Sequence, residues 1–117
     1  MICLDASVVG RMICPDEHAT VILERYQSSR MKGHRFIAPQ LLTFEIASIL
    51  RKKVIRKLLL PREILVSIHS FHHLGIQVVT FEGLLERSLS LCDTFSPQLT
   101  PYDASYLAIA EHFKAVF

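Results

Sequence analysis

The chain has 117 residues, half of them hydrophobic, and a formal net charge of only +2. That is one domain's length, apolar enough to bury a core and to exclude disorder, yet no apolar run approaches the ~18 residues of a membrane span. Cys3, Cys14 and Cys92 are odd in number and lack a C-x-x-C spacing, so they read as reduced thiols of a cytoplasmic protein, not as a disulfide framework or a zinc site.

In chain order, the first element is a short apolar strand, Ile2–Leu4; with no basic stretch before an apolar block, the N-terminus does not read as a signal peptide. The pattern then predicts a helix from about Asp16, a good N-cap, through Ile22, Leu23 and Tyr26 to a stop before Gly33. Arg35–Ala38 reads as a second strand ended by Pro39. A helix from about Gln40 to Lys57 follows, with Leu42, Ile46, Ile49 and Leu50 on one buried stripe. Pro61 suits the first position of the next helix, which is expected to bury Ile64, Leu65, Ile68 and Phe71 and to close at Gly75.

Ile76–Thr80 is a third strand, Gly83–Cys92 is helical in pattern, and Ser96–Pro101 is a loop. A last helix spans Tyr102 to about Phe113, and Ala115-Val116-Phe117 opens a fourth strand. Strands separated by helices of this length imply parallel pairing with right-handed crossovers, hence an α/β helix–sheet–helix sandwich over residues 1–117. Ligands of such sheets bind beyond the carboxyl ends of the strands, near the point where strand order reverses.

Three carboxylates fall where that rule directs attention. Asp5 ends the first strand, with the Ser7 hydroxyl two residues on; capping of the next helix is the competing role. Glu45 lies in the second turn of its helix between Leu41 and Ile49, at the border of the buried stripe, where a carboxylate needs a donor or a cation to offset desolvation. Asp103 follows Thr100-Pro101, a capping-box pattern with Asp in place of Glu, so helix stability alone could explain it. The helix behind it, with Ala104, Ala108 and Ala110 beside Tyr106, Leu107, Ile109 and Phe113, has little polar surface and must pack hard on the sheet. Three acids meeting in one cleft repel one another unless divalent cations or shared protons neutralise them, and an all-oxygen set points to Mg²⁺ or Mn²⁺. Such an ion would acidify a bound water and screen charge on a phosphate.

Arg51, Lys52, Lys53, Arg56 and Lys57 crowd into seven positions, as a phosphate-attracting patch or as a solvated helix face. His69, His72 and His73 have no acidic or Cys partner in register and read as a polar helix face. No Gly-rich phosphate loop occurs, and no aromatic strand pair suggests base stacking. A receiver domain, which also carries acids at strand ends, needs an Asp at the end of its third strand, where this sequence has Thr80 and Glu82.

Three blocks resemble the successive signatures of PIN-domain proteins: Met1-Ile2-Cys3-Leu4-Asp5-Ala6-Ser7-Val8-Val9, Ala38 through Arg51 around Thr43-Phe44-Glu45, and Tyr102-Asp103-Ala104-Ser105-Tyr106-Leu107-Ala108-Ile109-Ala110-Glu111. The likeness is strongest to VapC-like toxins of toxin–antitoxin pairs. It implies a ribonuclease that coordinates Mg²⁺ or Mn²⁺ with Asp5, Glu45 and Asp103, supported by Ser7. It implies a homodimer too, held inactive by an antitoxin that threads a segment into the acidic cleft. The RNA would then meet Arg51, Lys52, Lys53 and Arg56. One signature is missing: the family's fourth acid would fall beyond Phe117, so the C-terminal strand region reads as shortened, and the alternative is an impaired module that binds antitoxin or RNA without cutting. Glu111 is a poor substitute, eight residues and about 12 Å along the helix from Asp103, and Asp93 could reach the site only through its loop.

Overall fold

Parallel main-chain hydrogen bonds join Ile2–Cys3 (β1) to Phe36–Pro39 (β2), and β2 to Gln77–Val79 (β3), in the spatial order β1-β2-β3. The structure, a computed structural model, describes residues 1–14, 19–95 and 97–117. On the other side of β1, Ile2 makes a parallel bridge to Val116. There the Cys3 N–H donates to the Val116 carbonyl at 2.7 Å and the Val116 N–H to the Met1 carbonyl at 3.0 Å. The expected opening of a fourth strand is therefore formed, flanking β1. Every residue of β2 is buried, as befits the middle of a parallel sheet covered on both faces.

Ala6–Ile13 (α1) and Ala19–Met31 (α2) link β1 to β2, and Leu41–Ile55 (α3) and Glu63–His73 (α4) link β2 to β3. Leu84–Phe95 (α5) and Pro101–His112 (α6) carry the chain back across β1 to Val116. Right-handed crossovers stepping one way leave their helices on one face, and the return step uses the other. The packing agrees: α1 meets α2, α3 and α4, whereas α5 meets α6 and α6 lies on β1 and β2. This is the three-layer helix–sheet–helix arrangement. Strand order reverses between β1 and the Val116 segment, which is where a crevice opens.

The core lies on both sides of β2. Val9, Ile37, Leu42 and Ile109 are fully buried, each contributing roughly 1.5–3 kcal/mol relative to exposure. Leu42, Ile46 and Leu50 form the expected buried stripe of α3, with Ile49 partly covered at its edge.

Three expectations need correction. Periodicity gave no separate helix before Asp16, yet α1 exists, capped by Asp5 and burying Ala6, Val9, Gly10, Met12 and Ile13. Its buried residues do fall at helical spacing, but at eight residues the helix is shorter than the window over which such a period is read. Asp16, expected to cap the next helix, lies outside the described residues. The helix assigned to Pro61 starts at Glu63, whose Oε1 accepts the Leu60 N–H at 2.8 Å. Its expected buried stripe is only half covered: Ile64 and Phe71 are partly buried, but Leu65 is 74% exposed and Ile68 also lies at the surface. α4 packs mainly on α1, so a single narrow strip is shielded and Ser67 is the one buried residue of the helix. Gly75 follows its end at φ +70, a left-handed conformation that favours glycine.

Candidate active site

β1 is two residues long, and the chain leaves it through Leu4 to place Asp5 at the carboxyl edge of the sheet. Asp5 adopts an extended conformation and caps α1, its Oδ1 accepting the Val8 N–H at 3.1 Å. The Ser7 hydroxyl donates to the same Oδ1 at 2.9 Å. Capping and cleft placement therefore coexist. One carboxylate oxygen fixes the helix terminus while the other has no hydrogen-bond partner among the described residues.

Glu45 is half-buried in the second turn of α3. The donor that its position demanded is the phenol of Tyr106, whose O–H donates a hydrogen bond to Oε1 at 2.7 Å from 61 residues away in sequence. Tyr106 is only 2% exposed. Its pKa is raised far above the ordinary tyrosine value, first by burial, then by the hydrogen bond to Glu45 and by the negative charges of Glu45, Asp5 and Cys3. The phenol is thus held protonated as a donor.

Asp103 lies in the first turn of α6. Thr100 is the N-cap, its Oγ1 accepting the Asp103 N–H at 3.2 Å, and Pro101 is the first helical residue. A full capping box would return the acid's side chain to the Thr100 N–H. Only the threonine half is made, so the exposed Asp103 carboxylate has no hydrogen-bond partner among the described residues.

These three acids line one open cavity of about 370 Å³, together with Ala6, Ser7, Leu99, Tyr106, Leu107 and Phe117. Among the described residues, no Lys, Arg or His lines it. Beneath it, the Cys3 thiol is pushed up to about 11 by burial and then by the Asp5 carboxylate, and Sγ–H points to the Tyr106 carbonyl at 3.7 Å. Hard oxygen donors without a counter-cation are the chemistry of a divalent-ion site. Among the described residues, no three His, Cys, Asp or Glu side chains stand close enough to cage an ion directly. The donor set fits a cation that keeps much of its water, as Mg²⁺ does, and not a closed protein cage. Asp5, Glu45 and Asp103 are the residues that would hold it.

The other predicted residues lie elsewhere. Arg51, Lys52, Lys53 and Arg56 occupy the far half of α3 and its C-terminal cap, and none lines the cleft. Glu111 is taken by Arg87, which donates through Nε and Nη2 at 2.7 Å each, so it supplies no fourth acid. Asp93 is exposed on α5, away from the cleft lining. His69 and His73 face each other at 5.2 Å beside α2, while His72 borders the groove between α3 and α4. Tyr106 was legible only as a core residue, although its position three after Asp103 placed both on one helix face. Leu99 and Phe117 carried no sequence signal, because a loop and a strand end bring them in.

No helix among the described residues is long and apolar enough to cross a membrane. Among curated proteins, no match to the chain is found. The family model of the PIN domain, a nuclease-type fold, matches it over residues 2–117. With a parallel sheet, a reversal of strand order beside β1 and acids gathered at that point, the match has a structural counterpart, and the chain belongs to the PIN-domain family.

Proposed function

We propose that the protein is an Mg²⁺- or Mn²⁺-dependent endoribonuclease of the toxin type, which hydrolyses RNA phosphodiester bonds in the cleft between Asp5, Glu45 and Asp103. One observation carries the reading: three carboxylates from separate elements line a single cavity that no cationic side chain among the described residues lines. Asp5 and Asp103 hold the ion, Glu45 holds it or orients a water, and Ser7 fixes the Asp5 carboxylate. When bound, the divalent ion supplies positive charge against the phosphate and acidifies a water molecule. The rest of the lining supports a nucleotide ligand. Leu99, Leu107 and Phe117 add apolar surface to the cleft that the acids line, suited to a sugar or base beside the scissile phosphate. Lys52 lies seven residues from Glu45, about 10 Å along α3, so the Arg51, Lys52, Lys53 and Arg56 cluster would grip phosphates further along the strand.

As in the toxins it resembles, the chain pairs with itself and is silenced by an antitoxin that brings a basic side chain to the acids. The uncompensated cleft supports the inhibitor. The exposed Leu65 and Val66 of α4, with Ile55 and Leu58 nearby in the chain, support a covered protein surface. The test is cleavage of structured RNA by purified protein with Mg²⁺ or Mn²⁺, against Asp5→Asn and against chelator. Metal-dependent cutting by the wild type and loss of at least 100-fold in the variant are expected, on the order of the effect of removing one key electrostatic group. Equal background rates in both would end the enzyme reading.

A second reading has one observation in its favour, the lack of a direct three-ligand cage among the described residues. It takes the fold as a binding module that engages antitoxin or RNA without cutting. Calorimetric titration of Mn²⁺ separates the two, since the module binds the ion weakly or not at all.

A further inference from the structure

The pairing of Tyr106 with Glu45 has no place in a set of metal ligands, yet it directly bonds the two helices that bring Glu45 and Asp103 to the cleft. We infer that Tyr106 is a positioning residue: its hydroxyl clamps one oxygen of Glu45 and leaves the other for the cation that Glu45, Asp5 and Asp103 would hold. The inference rests on the metal-dependent reading above.

The geometry supports it in three ways. A glutamate has three side-chain torsions, and its carboxylate sweeps a wide arc unless something holds it; here a 2.7 Å bond from a buried group does so. The clamp is itself held in place, because Tyr106 is buried and its main-chain carbonyl also accepts a weak hydrogen bond from the Cys3 thiol at 3.7 Å. Finally, a phenol buried only to fill space would be served by a main-chain carbonyl, as Tyr26 is by that of Leu74. Tyr106 instead donates its proton to a carboxylate that lines the cleft. Partners that orient metal ligands in this way are worth about 10- to 100-fold in metal affinity.

The test uses Tyr106→Phe, which keeps the ring and its packing and removes only the hydroxyl. Mn²⁺ binding is measured by calorimetry on wild type, Tyr106→Phe, Glu45→Gln and the double variant, with kcat and KM on RNA alongside. Expected is an Mn²⁺ affinity about 10- to 100-fold weaker in Tyr106→Phe, a lower kcat with KM for RNA little changed, and no further loss when the change is made in the Glu45→Gln background. The packing control is Ile109→Val, on the same helix and fully buried, expected to lower the melting temperature and leave Mn²⁺ affinity as it was. Unchanged Mn²⁺ affinity in Tyr106→Phe, or an equal loss with and without Glu45, overturns the positioning role alone. Absence of Mn²⁺ binding by the wild type overturns the metal reading and this inference together.

Discussion

Beneath the cleft the Cys3 thiol makes a titratable link between the site and the core. Burial, and then the neighbouring Asp5 charge, raises its folded-state pKa from 9.0 to about 11, so the folded protein holds this proton more tightly than the unfolded chain. The sign follows by linkage: the thiol's contribution to stability is complete below pH 9 and is lost as pH climbs towards 11. The urea midpoint is expected to fall over that window and to fall less steeply in Cys3→Ala. Some slope persists, because Tyr106 is shifted in the same direction by its own burial. A Cys3→Ala protein with the wild-type slope would mean that the thiol is not held as described.

At the scale of the element, α6 separates two roles that share its first turn. Thr100 secures the helix terminus, while Asp103 offers a carboxylate that the cap does not use. Thr100→Ala is therefore expected to cost about 1 kcal/mol of stability in urea unfolding and to leave Mn²⁺ affinity close to wild type. Asp103→Asn should do the reverse, with Mn²⁺ binding lost and stability lowered by no more than the roughly 0.3–1 kcal/mol of a charge at a helix N-terminus. Similar stability losses in both, with metal binding intact, would return Asp103 to a purely structural role. The sequence supported both roles because a capping-box pattern is the same string of residues whether or not the acid turns back to the cap.

For the whole molecule, the open face of α4 is the surface proposed above for association between copies of the chain. Leu65 and Val66 are mostly exposed, flanked in sequence by Arg62 and Glu63 on one side and His69 on the other. Exposed apolar side chains on one helix are consistent with the self-association proposed above. Sedimentation of the wild type is expected to report a dimer at micromolar concentration, and Leu65→Asp a folded monomer whose melting temperature, unlike that of the dimer, no longer depends on protein concentration. A wild-type monomer would exclude self-association through this helix.

Local patterns determined a good deal. The buried stripe of α3, the parallel β–α alternation and the stop at Gly75 depend on spacing and on residue conformational preference, and these are properties of short segments. The three acids were legible as candidates because strand ends and the first two turns of the following helices are where such folds expose side chains. Their convergence was expected only through the strand-end rule and the family resemblance, since it depends on the reversal of strand order beside β1, which no window of sequence contains. Nor could the sequence distinguish cover from exposure along α4. Ile64 is partly buried and Leu65 bare because α1 is the main helix lying across that surface, and apolar character does not encode which neighbour arrives. The Tyr106–Glu45 bond belongs to the same class, joining residues 61 apart that meet only once the sheet has brought α3 and α6 to one edge.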